Sequence, residues 1–496
     1  PGSLRLHFAA FRFHDAGRRR RTAGAPSLTA SRLIPSVVLA ATALSAAAAP
    51  QDPFGTEALR PPAPSRAWNG PDAPDPCGAG GALPPTLELP TAIDFALCRS
   101  PRTRQTWAAA KVAAARAGAA RSAELPTVTG TVNAQRTDNR NAFIAGRRDQ
   151  LTGALAFNYL LFDFGGREAT VDAARQNLFA ADWTHNAAVQ TVVLDVSRAY
   201  YQLFAAAEAL DAARAGEAFA QQSLDAVSAR QRAGTATRAD ALQARTALAQ
   251  TALARTQSEG AMLIARGVLA NALGLAADTP VQLAPPPATD GIALGDTALA
   301  DLLALAAERR PELRAAEATL SAARASVAVE ESAAKPTLST FANLSATSLN
   351  PGTDPRSIAA GVVVNIPIFL GYQPSYRIQA AREEVERQNA IRAQLGNDIS
   401  LEVWRAYQDV RAQTQAVASA NELVASASES YGVALGRYRA GVGTLIDALN
   451  AQNALIQANL QKIQARFNLN LAKITLARAI GALDAGLFAD RAATAR

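Results

Sequence analysis

The sequence predicts a mixed chain, mainly α with a smaller β part, in which one structural unit is built twice. Three observations carry this. Residues 157–274 lie over 364–481 at a constant offset of 207, without a gap. Two pairs of segments alternate apolar and polar residues with the period of strands. Each pair is followed by a run of about 65 residues dominated by helix formers, on the order of 100 Å as a helix. The matches across the offset fall at residues that shape structure: Val196-x-Arg198-Ala199-Tyr200 with Val403-x-Arg405-Ala406-Tyr407, and Arg230-x-Arg232-Ala233-Gly234 with Arg437-x-Arg439-Ala440-Gly441. A gapless match of this length means one unit repeated and packed beside itself, with equal helix lengths.

Residues 1–49 read as a secretory signal. Arg18 to Arg21 and Arg32 precede an apolar run from Leu33 to Ala49 that ends in small residues. This stretch carries +6 of the chain's net charge of +7, so the mature chain is nearly neutral and nothing argues for nucleic acid. Residues 50–90 are rich in Pro, Gly and Asp and read as a flexible leader. The first repeat then spans 91–279, a connector with Pro285-Pro286-Pro287 spans 280–296, the second repeat spans 297–481, and a tail spans 482–496.

Within the first repeat, a helix is expected from Thr91 to Glu124, stopped by Pro126. Val128, Gly130, Val132 and Ala134 then alternate with threonines and amides. After a polar loop from Asp138 to Arg148, Leu151, Gly153, Leu155, Phe157 and Tyr159 do the same. In the second repeat a helix over about 297–333 precedes the matching strands. Leu338, Thr340, Ala342 and Leu344 form one apolar face, and Ile358, Val362, Val364, Ile366 and Ile368 the other. Long helices follow over 167–233 and 375–440, and returning helices over 238–273 and 445–480. The seam Val171, Ala174, Leu178, Ala181, Ala188, Val192, Val196 has roughly heptad spacing. A rod that long needs a partner of equal length, which two half-length helices stacked end to end supply.

The helix ends carry recognisable turns. Gly234 and Gly441 are placed to end the long helices with φ > 0. Thr237-x-x-Asp240 and Thr444-x-x-Asp447 have the spacing of a capping box. At the opposite end Leu161-Phe162-Asp163-Phe164-Gly165 turns strand into helix, with Asp163 a candidate cap. Ile368-Phe369-Leu370-Gly371 keeps the Phe and a Gly but lacks the acid.

Enzyme chemistry finds no support. There is no histidine cluster, nucleophile elbow or phosphate loop, so no catalytic residue, metal or cofactor is assigned. His185, the one histidine beyond the signal, is read as a surface or seam residue of a helix. Cys77 and Cys98 are either a disulfide closing an early loop in an oxidising compartment or two free thiols. Ala-rich stretches such as 205–220 are broken by Glu208, Asp211 and Arg214, so no transmembrane helix is expected.

Over 91–481 the sequence resembles the TolC-like outer-membrane factors. The resemblance rests on the duplicated plan, on Leu161-Phe162-Asp163-x-Gly165, and on the tips Arg232 to Asp240 and Arg439 to Asp447. It implies a homotrimer whose chains give four strands each to a twelve-stranded outer-membrane barrel, continued by a helical barrel across the periplasm of a Gram-negative bacterium. Independently, four strands leave open edges that lipid does not tolerate, so several chains must share one barrel. The residues alone do not choose between two chains and three. The resemblance further implies an outer-membrane exit duct working with a periplasmic adaptor and an inner-membrane ABC exporter. The expected cargo is an exported protein toxin, in a type I secretion system. A multidrug efflux channel for small molecules is the alternative. By position, the acidic constriction of the family falls on Asp447, with Asn450 one turn later and Asp240 in the first tip. The basic partner expected in the second tip is absent, since Gly443 stands there.

Overall fold

A computed structural model describes residues 52–62, 84–141, 144–284, 298–350 and 352–483. The signal, Cys77, residues 285–296 of the connector and residues 484–496 of the tail lie outside the described residues. Everything below belongs to the unit that begins at Phe54.

Four antiparallel strands, β1 (Thr127–Asn141), β2 (Ile144–Phe162), β3 (Thr337–Asn350) and β4 (Arg356–Asn365), form one sheet in the order β1-β2-β3-β4. The hairpins of the two repeats thus join through β2 and β3. The register lines up Gly130, Leu155, Leu344 and Ile358 in one row, and Val128, Phe157, Ala342 and Ala360 in the next. The apolar residues that alternate in the sequence therefore share a face. That face is bare: Val128 is 68% and Ile358 82% exposed. The other face is polar, with Thr152 and Thr347 hydroxyls 3.1 Å apart. A sheet with an apolar outside and a polar inside is the pattern of a barrel wall in lipid.

Two strand expectations change. The polar stretch 138–148 is largely paired strand, with β1 running to Asn141 and β2 starting at Ile144. Backbone pairing is indifferent to polarity, and Arg136 clamps Asp149 across the strands with bonds of 2.6 and 2.9 Å. Ile366 and Ile368 fall beyond β4, because Pro367 has no N–H to donate to a ladder.

The helix expected over 91–124 is two helices, α1 (Leu89–Arg99) and α2 (Pro101–Arg121), followed by a 3₁₀ turn over Ser122–Glu124. The long helix α3 (Gly166–Arg232) and returning helix α4 (Arg238–Ala272) follow. The second repeat has α5 (Leu299–Arg309), α6 (Pro311–Ala333), α7 (Gln373–Arg439) and α8 (Leu445–Ala479). Both breaks have one cause. The residue before a proline avoids the helical region, so Ser100 (ψ 124°) and Arg310 (ψ 119°) are extended and each proline restarts a helix at its first turn. α3 and α7 are both 67 residues long, and α4 and α8 both 35. α3 packs against α2 and α6 along its half nearest the sheet, and against α4 and α8 along the rest.

The core lies where these halves meet. Leu89, Ile93 and Leu97 of α1 pack on Val193, Val196 and Tyr200 of α3 and on Leu269 and Leu273, and Leu302, Val403, Leu476 and Ile480 do the same in the second repeat. The Tyr200 hydroxyl donates to the Ala284 carbonyl at 2.7 Å, and burial pushes its pKa up. Residues on either side of the first repeat meet there: the Leu87 amide donates to Gln282 O and the Ala284 amide to Leu87 O.

In the second repeat Arg310 is 4% exposed and uses its whole guanidinium. Nε meets Glu312 at 3.0 Å, Nη2 meets Glu402 at 2.8 Å, and Nη1 donates to the carbonyls of Arg478 and Ala479 at 3.3 Å. Arg478 reaches the same two carboxylates at 3.4 and 2.8 Å. Four charges thereby tie the α5–α6 elbow to α7 and to the end of α8.

Part of the leader is ordered, contrary to its composition. Residues 54–61 lie along α2. Arg121 stacks on Phe54 at 5.2 Å and donates to its carbonyl, Thr56 packs on Gly118, and Trp107 Nε1 donates to Pro61 O. His185 is fully buried, its Nδ1 3.0 Å from Thr106 Oγ1 of α2, and burial lowers its pKa to about 4. Cys98, on α1, is disulfide-bonded.

Candidate gate at the helical tips

Each long helix ends in a Schellman turn. Gly234 and Gly441 both have φ 76°. The Gly234 amide donates to Gln231 O and the Thr235 amide to Arg230 O, with Gly441 to Tyr438 O and Val442 to Arg437 O in the second tip. The returning helices start in complete capping boxes. Thr237 Oγ1 accepts from the Asp240 amide at 3.1 Å, while Asp240 Oδ2 accepts from the Thr237 amide at 2.9 Å and from its hydroxyl at 2.7 Å. Thr444 and Asp447 repeat this at 3.2, 3.3 and 2.6 Å. Those donors hold both carboxyls below the usual carboxylate range, with Arg437 adding to the effect at Asp447. Both acids are therefore anionic at neutral pH.

Asp447 and Asn450 share the exposed side of the first turns of α8, while Leu445, Ala448 and Leu449 are buried. Asp447 borders a groove of about 420 Å³ with Glu429, Ser430 and Arg437. Asp240 does not line that groove. Gly443 is favoured by the turn: a Cβ there would sit 3.1 Å from both the Arg437 carbonyl carbon and the Tyr438 nitrogen. A basic side chain at 443 would require the end of α7 to give by a few tenths of an ångström.

The tie between the tips comes from a residue that sequence reasoning passed over. Arg230, near the end of α3, stacks on the Tyr438 ring at 4.6 Å and donates to the carbonyls of Tyr438 and Arg439 at 3.5 and 3.4 Å. A cation at the C-terminus of α7 also meets the negative end of that helix's dipole. Val227, Ala244, Leu445 and Leu449 form a small core beside it. The only sequence signal was the arginine one turn before the glycine, and it is shared by both repeats.

At the sheet end, Gly165 is the N-cap of α3, and Asp163 lies two residues before it. The Asp163 Oδ2 accepts from the Arg167 amide at 2.8 Å and lies 3.4 Å from the Arg167 guanidinium. Phe164 (φ 55°) and Gly165 (φ 86°) make the turn. Gly371 (φ 62°) and Tyr372 (φ 63°) make it in the second copy. Phe162, Phe164, Phe369 and Tyr372 are all exposed just below the apolar sheet face, Phe162 against Phe164 and Phe369 against Tyr372. Barrels in outer membranes carry such aromatic girdles at the edge of their lipid band. Gly166 is a second unforeseen requirement, since a Cβ there would overlap the Ser332 hydroxyl of α6.

No metal-binding group of His, Cys, Asp or Glu occurs among the described residues, and no described helix is long and apolar enough to cross a membrane. Comparison with known proteins places this geometry. The outer membrane efflux protein family matches residues 92–275 and 302–482. Protein CyaE of Bordetella pertussis is 35% identical over 80% of this chain and 84% of its own. The pyoverdine export outer membrane protein OpmQ of Pseudomonas putida is 27% identical over 66% of this chain and 69% of its own. Among solved structures, the outer-membrane channel OprN has a TM-score of 0.71 at 21% identity, covering 79% of this chain and 90% of that one. The outer membrane protein VceC of Vibrio cholerae has 0.68 at 19%, covering 79% and 96%. Members of this family are trimeric outer-membrane channels, not enzymes, and they work with adaptor and pump partners. Each matched segment holds a strand hairpin, a long helix and its returning helix, and the chain belongs to the outer membrane efflux protein family, whose channels extend from the Gram-negative outer membrane into the periplasm.

Proposed function

We propose that this chain is the exit duct of a type I secretion system, passing a protein toxin of the RTX or adenylate cyclase–haemolysin kind across periplasm and outer membrane. The observation that carries this reading is the greater identity to Protein CyaE than to the pyoverdine export protein. The toxin cargo itself is taken from the resemblance to the TolC-like ducts of type I secretion. The partners on this reading are two further copies of the chain, a periplasmic adaptor, an inner-membrane ABC exporter and the cargo itself. Efflux of small molecules is the second reading, favoured by the pyoverdine export relative.

The tips are the proposed closure. Asp447, with Asn450 beside it and Asp240 in the first tip, would ring the periplasmic opening. The arginine clasp supports this by fixing one hairpin against the other without any basic residue at 443. The deciding experiment is the culture-supernatant proteome of a strain lacking this chain against its parent. Loss of one large secreted protein is expected and would name the cargo. An unchanged supernatant under conditions where the cargo is made would move the assignment to efflux.

A further inference from the structure

One arginine at the far border of the apolar sheet face stands without a partner. On that face Arg136 of β1 lies across from Asp149 and Asn350, and Arg356 of β4 lies across from Ala346. Both oxygens of Asp149 clamp Arg136. Arg356 is exposed and meets no carboxylate among the described residues. Asp354, two residues before it, accepts from the Leu349 amide instead.

The two arginines mark one level. The ladder puts Arg356 in the row of Ala346, Gly153 and Val132, four residues short of Arg136 along β1. At the helical end, the row of Thr127, Asn158 and Phe341 meets β4 at Gly361, and β4 runs four residues further to Asn365. Both borders are thus displaced by the same amount in the same sense. Barrel strands tilted by about 40° and spaced about 4.8 Å apart step along one another by about 4 Å, or roughly four residues across three strands. The borders therefore run parallel to the membrane. Thr127 to Arg136 and Arg356 to Asn365 each cover nine residues. At about 3.4 Å per residue and that tilt, the band is roughly 23 Å tall, close to the lipid-facing band of an outer-membrane barrel. The helices extend into the periplasm, so the arginines border the outer leaflet.

β1 and β4 are the two edges of the sheet, so a ring of copies joins β4 to β1 of the next. At that seam Arg356 stands level with the partner subunit's Arg136 and its clamping carboxylate. Two guanidinium groups and one carboxylate leave a net positive site on each seam. On the same face Ile358, two residues along, is 82% exposed. The outer leaflet of a Gram-negative outer membrane presents phosphate groups on a glycolipid at this height. Guanidinium binds phosphate with paired hydrogen bonds, and basic residues bordering an apolar surface recognise anionic headgroups. We propose that each seam between copies binds a phosphorylated glycolipid of the outer leaflet. Its phosphate lies on Arg356 and the partner subunit's Arg136, and its acyl chains lie along Ile358 and the apolar rows beneath.

The site is tested by native mass spectrometry of the purified full-length oligomer in detergent, titrated with diphosphoryl lipid A. Saturable binding is expected, and dephosphorylated lipid A should bind about tenfold more weakly. Arg356→Gln should weaken diphosphoryl lipid A about tenfold, and Arg356→Lys should restore part of the loss. Arg148→Gln, which the register turns to the opposite face, should bind like wild type. Each variant is first checked for an intact oligomer. Equal binding of the dephosphorylated lipid overturns the proposal, as does wild-type affinity in Arg356→Gln or an equal loss in Arg148→Gln. Displacement of the lipid by excess inorganic phosphate would assign the site to a free anion and overturn the lipid. Lipid binding is read without any cargo, so its failure leaves the duct reading untouched, and an unchanged secretome leaves this site untouched.

Discussion

Replacing Arg310 with Met tests how the second repeat holds its returning helix. The guanidinium is 4% exposed, contacts Glu312 and Glu402, and satisfies the carbonyls of Arg478 and Ala479. Methionine conserves most of the stem and removes every donor. Arg478 then remains as the sole cation for two carboxylates, the Ala479 carbonyl loses the guanidinium, and the Arg478 carbonyl keeps only the Gly481 amide. Removing one member of a buried ion network costs about 3–5 kcal/mol, and the partial exposure of Glu402 and Glu312 argues for the lower end, about 3 kcal/mol. Hydrogen exchange of the last-turn amides of α8 reads this locally. Three kcal/mol corresponds to roughly a hundredfold faster opening. The first repeat supplies the control: Ser100 occupies the equivalent elbow, and the one nearby pair, Arg102 with Asp195, is 3.6 Å apart and well exposed. Ser100→Ala should change exchange at the end of α4 by less than about threefold. Exchange in Arg310→Met within threefold of wild type, or an equal effect from Ser100→Ala, would refute the reasoning.

Three further outcomes are expected. Asp447→Ala should loosen the constriction and raise resting conductance in bilayers. Asp447→Asn, which keeps an acceptor for the Thr444 cap, separates charge from capping, and unchanged conductance in both would remove Asp447 from the gate. Gly166→Ala should destabilise by about 1–3 kcal/mol through its overlap with Ser332, and adding Ser332→Gly should restore most of the melting temperature. Asp182 on α3 has a buried oxygen without a partner, and burial raises its pKa to about 7. With the folded pKa above the unfolded value of about 3.9, this residue's contribution to stability falls as pH rises from about 4 to about 7 and is flat above. The melting-temperature gain of Asp182→Asn should grow across that window, and a pH-independent gain would contradict the assignment.

Much of this was legible from residue order because local chemistry decided it. A threonine three residues before an aspartate can do little else at a helix start than cap it. Apolar residues two apart on neighbouring strands share a face only in registers that differ by an even number of residues. Pro101 and Pro311 are visible too, yet proline is tolerated at a first turn, so the pattern of a continuous helix survives the break. The strand ends around Arg136 and Asp149 look like loop by composition and become strand by pairing. Arg230 finds Tyr438 across 208 positions, a contact that local pattern cannot encode. The ordering of residues 54–61 likewise depends on Trp107, Gly118 and Arg121, all supplied by α2.

The equal lengths of α3 and α7 act as a matched pair of rulers. Inserting one residue into α3 alone would advance everything beyond it by about 1.5 Å and rotate it by about 100°. That would carry Arg230 away from the Tyr438 ring and turn Asp240 out of its plane. The same insertion at the β1–β2 hairpin end moves nothing in the helices. Length variation among relatives should therefore concentrate in the hairpins. Changes within the long helices should occur in both repeats together, in whole heptads that nearly restore the facing side.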